Sequence, residues 1–108
     1  MSRVFTMPID KLEFAKMLVC STAHMSLADS CCLSDCPHLS VVEYPEGFYI
    51  TLDKEDLSDD DFVQDLVEYG LSEDLVSILR AAVRELSCSY IKFDCSGPTY
   101  KRYKTHEW

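Results

Sequence analysis

The stretch from residue 39 to residue 52 constrains the fold more than any other part of the chain. Leu39-Ser-Val-Val-Glu-Tyr44 and Gly47-Phe-Tyr-Ile-Thr-Leu52 are both rich in β-branched and aromatic residues, the types that fit a pleated, half-buried surface. Pro45-Glu46-Gly47 lies between them and supplies turn chemistry, since Pro presets φ and Gly adopts backbone conformations closed to other residues. The segment reads as a β-hairpin. A hairpin alone is at best marginal in water, so it needs a second layer against one face.

Helical patterns follow it. Ser58 can cap a helix whose first turn holds Asp59, Asp60 and Asp61, where carboxylates complement the positive end of the helix dipole. Phe62, Val63, Leu66 and Val67 form its apolar stripe. Gly70 stops it. Ser72 then caps another helix, with Glu73 and Asp74 in its first turn and Leu75, Ile78, Leu79, Ala82, Val83 and Leu86 recurring at helical spacing. Tyr90-Ile-Lys-Phe-Asp94 returns to strand character, and Gly97-Pro98 breaks it.

Upstream, Ile9, Leu12 and Phe14 partly fit a helix that Asp10 could cap, whereas Met17-Leu-Val-Cys-Ser-Thr22 also fits a short buried strand. The reading adopted is a helical or irregular lead-in, then a strand over 17–22. A short helix over 26–35 follows, capped by Ser26, with Leu27, Cys31 and Leu33 available for burial and Pro37 beyond its end. The predicted architecture is α+β: an antiparallel or mixed sheet of about four strands with helices packed on one face. With 108 residues, no internal repeat and no low-complexity linker, residues 1–108 are expected to form a single domain.

Charge narrows the partners. The chain carries 19 acidic residues against 10 Lys and Arg, a formal charge of −9. Such a surface repels phosphate backbones and anionic membranes, so neither nucleic acid nor a membrane is expected as a direct partner. A basic protein groove would attract it. Arg3 is followed by Pro8, Asp10 and Lys11, which interrupt the apolar core of a secretory leader. A cytoplasmic setting is therefore expected, with the six cysteines kept as thiols.

Four groups of residues are candidates for chemistry. Asp53, Glu55, Asp56, Asp59, Asp60, Asp61, Asp65, Glu68, Glu73 and Asp74 stand against a single Lys54. Charged helix starts and a solvated face explain about half of them; the sharper reading is a negative surface that imitates a phosphate path. The C-terminal Tyr100-Lys-Arg-Tyr-Lys-Thr-His-Glu-Trp108 interleaves three bases with aromatics. Tyr100, Tyr103 and Trp108 are thus interface candidates, against completing the core edge or pairing with acids of the same molecule or of a twin in a homodimer. A third group, Cys20, His24, Cys32, Cys36 and His38, holds zinc-type ligand atoms, but at irregular spacing without a knuckle-type pair. The fourth, Cys/His nucleophilic catalysis, lacks an accompanying signature. No phosphate loop, dinucleotide fingerprint or nucleophile elbow is present, so no cofactor and no enzymatic reaction is expected.

Ser21-Thr-Ala-His24 after an apolar strand, Gly47-Phe-Tyr, Gly70-Leu-Ser72, Tyr90-Ile-Lys-Phe-Asp94 and the terminal Glu107-Trp108 resemble a family of short, largely uncharacterised proteins encoded on bacterial plasmids, prophages and integrative elements. The longer N-terminal segment, the cysteines at 31–36 and the basic tail depart from it. The resemblance implies no reaction. It implies a mobile-element setting, in which small acidic proteins block host defence nucleases of the CRISPR or restriction type. The expected function is accordingly an acidic inhibitor acting as a DNA mimic, with a metal- or thiol-dependent regulator or enzyme built on the Cys/His group as the alternative. His24 could be a ligand, a base or, by the favoured reading, a residue that holds a turn.

Overall fold

The hairpin forms where its sequence places it: β2 (Ser40–Tyr44) pairs antiparallel with β3 (Gly47–Thr51), with Tyr44 opposite Gly47 across the turn. This is a computed structural model, and it describes residues 16–107; the expected lead-in and Trp108 lie outside them. Gly47 is required by packing and not by a left-handed turn conformation, since its φ is not positive. A Cβ there would collide with the backbone carbonyl of Phe93, which belongs to the next strand of the sheet.

That strand is β4 (Tyr90–Asp94), which lies antiparallel to β3, with Phe48 opposite Phe93 and Ile50 opposite Ile91. On its other side β4 pairs parallel with β1 (Met17–Ser21), giving the order β1-β4-β3-β2. The fold is α+β with a four-stranded mixed sheet. Two strands can lie parallel only if the chain crosses over between them, and here the crossover comprises everything from residue 22 to residue 89.

Period-two alternation decides which face is covered. Cys20, Phe48, Ile50, Ile91 and Phe93 are buried on one side of the sheet. Met17, Val42, Tyr49 and Tyr90 are exposed on the other. The helices cover the first side. α1 (Leu27–Ser34) follows a one-turn 3-10 helix at Thr22–His24, and α2 (Lys54–Ser58), α3 (Asp60–Tyr69) and α4 (Glu73–Arg84) connect β3 to β4. α4 is the central helix of this layer, burying Leu75, Val76, Ile78, Leu79, Ala82 and Val83. None of these helices is long and apolar enough to cross a membrane.

Two local expectations are corrected. Ser58 does not cap a helix; it is the last residue of α2, and Asp59 caps α3 by accepting the Asp61 N–H at 2.9 Å. The acidic run therefore makes two helices, because Asp53 caps the first by accepting from Glu55 and Asp56 N–H. In α1, Leu27 and Cys31 are exposed, and the inward face is Asp29, Ser30 and Leu33. Asp29 faces inward because α1 meets the N-terminus of α4, where donors need an acceptor, and Ser30 satisfies its hydroxyl on Leu27 O at 2.7 Å. Gly70 ends α3 as expected, at a φ of 130° that side-chain-bearing residues rarely adopt.

Candidate functional site

The acidic run is exposed throughout and is gathered on α2 and α3. Asp60, Asp61, Asp65 and Glu68 are spaced i, i+1, i+5 and i+8 along α3, which at 3.6 residues per turn puts them on one arc. Phe62, Val63, Leu66 and Val67 occupy the other side and pack on the core. α2 adds exposed Glu55 and Asp56 around buried Leu57. Among the described residues, the one cation paired with these α2 and α3 carboxylates is Arg80, whose Nη2 lies 3.2 Å from Asp60. Since the Asp60 side chain is 91% exposed, that pair adds little stability. Asp53 and Asp59 are engaged as caps, and Asp74 lies 4.0 Å from Lys104 Nζ.

The tail folds back on its own molecule. Tyr100 and Tyr103 are partly buried against the core. The Tyr100 hydroxyl donates to Val19 O at 2.7 Å, and Arg102 pairs with Glu85 at 2.8 Å. These two tyrosines, candidates for an interface or for the core edge, lie at the core edge. Both pack on His24, Tyr100 stacked at 6.0 Å and Tyr103 edge-on at 5.6 Å.

His24 is the pin of this latch. It is fully buried, its Nε2 accepts the Tyr100 N–H at 2.8 Å, and its Nδ1 lies 3.0 Å from Lys104 O. A backbone N–H only donates and a carbonyl only accepts, so the proton sits on Nδ1. Ser21 caps the 3-10 turn through Ala23 N–H at 3.0 Å, and Ala23 O accepts the His106 N–H at 2.7 Å. The Ser-Thr-Ala-His segment thus holds a turn and fastens the tail, with both ring nitrogens occupied by backbone.

The five residues offered for a metal are dispersed. Cys20 points into the core, where burial pushes its thiol up to about 12. His24 is engaged as above, Cys36 is buried, Cys32 lies 3.7 Å from Gly70 O, and His38 packs edge-on against Tyr69 at 5.9 Å. Among the described residues no three His, Cys, Asp or Glu side chains are grouped to hold a metal ion, and all six thiols are free.

Two features escaped the sequence reading. Asp29, 1% exposed, accepts Ser72 N–H and Ser72 Oγ–H, both at 2.7 Å, and Ser26 N–H at 3.3 Å. One carboxylate thereby satisfies the starts of α1 and α4. The capping-box spacing of Ser26 and Asp29 was the available signal. The second is a cluster on the open face of the sheet. Lys92 Nζ lies 5.7 Å from the Tyr44 ring centre, 5.3 Å from that of Tyr49 and 3.8 Å from Asp94 Oδ2. The Tyr44 hydroxyl donates to Asp94 at 2.9 Å. The Ser96 N–H, then this hydroxyl, hold the Asp94 carboxyl below its ordinary value. Burial, then Asp94, push the Tyr44 phenol up.

No curated protein and no solved structure matches the chain. A family model described as the C-terminal domain of a family of unknown function, DUF5983, matches residues 17–108, beginning at the first residue of β1. The chain belongs to the DUF5983 family.

Proposed function

We propose that the chain is a binding protein that docks its acidic α2–α3 face into a basic groove of a nucleic-acid enzyme and thereby blocks it. The observation that carries this reading is the arc of Asp60, Asp61, Asp65 and Glu68, exposed on a helix whose opposite side is anchored in the core. Carboxylates fixed on a rigid helix need no ordering at the moment of binding, and a net charge of −9 speeds approach to a positive cleft. The same charge opposes direct contact with phosphate backbones or anionic membranes. The mobile-element setting and a CRISPR- or restriction-type target are the finer part of the proposal and come from the resemblance, while a cytoplasmic location accords with six cysteines kept as thiols.

The test mixes the purified protein with candidate defence nucleases at rising salt and follows binding and inhibition. Complex formation that weakens with salt, and that replacing Asp61, Asp65 and Glu68 by their amides abolishes, supports the reading. Binding insensitive to those replacements rejects it.

A further inference from the structure

α4 carries two stripes. The first faces the core. The second, Glu73, Val76, Ser77, Arg80, Ala81 and Arg84, lines a groove of about 670 Å3 whose other wall is Val63, Gln64 and Val67 of α3. Reversing the second stripe about the midpoint between Ile78 and Leu79 places Glu73 on Arg84, Val76 on Ala81 and Ser77 on Arg80. Acid thus falls on base, Val76 and Ala81 fall on each other, and the small Ser77 falls on the long Arg80.

We propose that this groove is the interface of a two-fold symmetric dimer, in which α4 of a second copy lies antiparallel to α4. A two-fold interface must be complementary to itself, and this stripe is. The side chains of Glu73 and Arg84 are exposed and neither has an ion-pair partner among the described residues. In the antiparallel pair each meets the other twice, and the two helix dipoles oppose one another favourably. Arg80, whose Nη2 pairs with Asp60 of α3, falls in register with Ser77 of the second copy. Ser77 and Ala81 are small enough for the helices to approach closely. Affinity comes from covering the half-buried Val63, Val67 and Ala81, while the charges fix direction and register. The proposal is independent of the acidic-face reading.

Sedimentation equilibrium at 0.15 M salt, where the Debye length is about 8 Å, tests it with the whole chain, comparing wild type, Glu73→Arg, Arg84→Glu and the double exchange. Wild type is expected to self-associate. Each single replacement removes two symmetric pairs and creates two repulsions, raising the dimer dissociation constant on the order of tenfold. The double exchange restores association, an outcome that mere damage to the helix does not produce. Ser77→Tyr, at an exposed site that leaves every charge in place, is expected to dissociate the dimer by bulk alone. A wild-type chain that stays monomeric up to about 1 mM (a contact of about 4 kcal/mol) overturns the proposal. So does a dimer indifferent to the single replacements and to Ser77→Tyr.

Discussion

The molecule treats polar groups in two opposite ways. On α2 and α3 the carboxylates stand in water and take few partners. Around His24 and Asp29 the polar atoms are buried and every strong site of those two side chains has a partner at hydrogen-bond distance. A buried polar group without a partner is costly, whereas an exposed one is nearly neutral to stability. The first region can therefore change its chemistry without changing the fold, and the second cannot.

The hardest test of that contrast is Asp29→Ala. It strips acceptors from Ser26 N–H and from both donors of Ser72, and the expected loss is about 3 kcal/mol, read from urea unfolding. His24→Phe keeps the ring volume but leaves Tyr100 N–H and Lys104 O unpaired. About 2 kcal/mol is expected, together with faster amide exchange at Tyr100 and His106. A loss confined to the tail, with the core amides unchanged, would show that the latch is a separate unit.

The sheet cluster offers a smaller, pH-dependent effect. The folded-state carboxyl of Asp94 is held below the ordinary 3.8. It contributes stability that is present above that value and disappears as pH falls through the lowered one. Asp94→Asn should therefore flatten the stability curve of the protein below about pH 4, in thermal unfolding followed at pH 2.5 to 6. The smallest effect belongs to the acidic arc. Asp61→Asn, Asp65→Asn and Glu68→Gln together should stay within about 0.5 kcal/mol of wild type, measured in the same urea experiment. A larger change would mean that the arc supports the fold.

Local chemistry made most of the elements legible. The hairpin turn, the Ser72 cap, Gly70 at the end of α3 and the apolar stripe of α4 each announce themselves within a few residues. The division between α2 and α3 was misread because Ser58 and Asp59 are adjacent capping types, and only the backbone of Asp59, extended at φ −90° and ψ 118°, decides between them. Pairing of β1 with β4 left no local trace, since the two strands are far apart in sequence and parallel register writes no turn. The acidic face could be read as composition, while its arrangement on one arc required the true start of α3. His24 was read as holding a turn; that it also fastens the tail depends on Tyr100 and Lys104, which no short window contains.

The position of β4 between β1 and β3 has a consequence for synthesis. The ribosome releases β1 and the hairpin before the strand that joins them, so the two cannot be united in one sheet until β4 has emerged. Two sticky edges wait for one late segment. Nascent chains halted before residue 90 should need chaperone protection, and the emergence of β4 should set the moment at which the sheet closes.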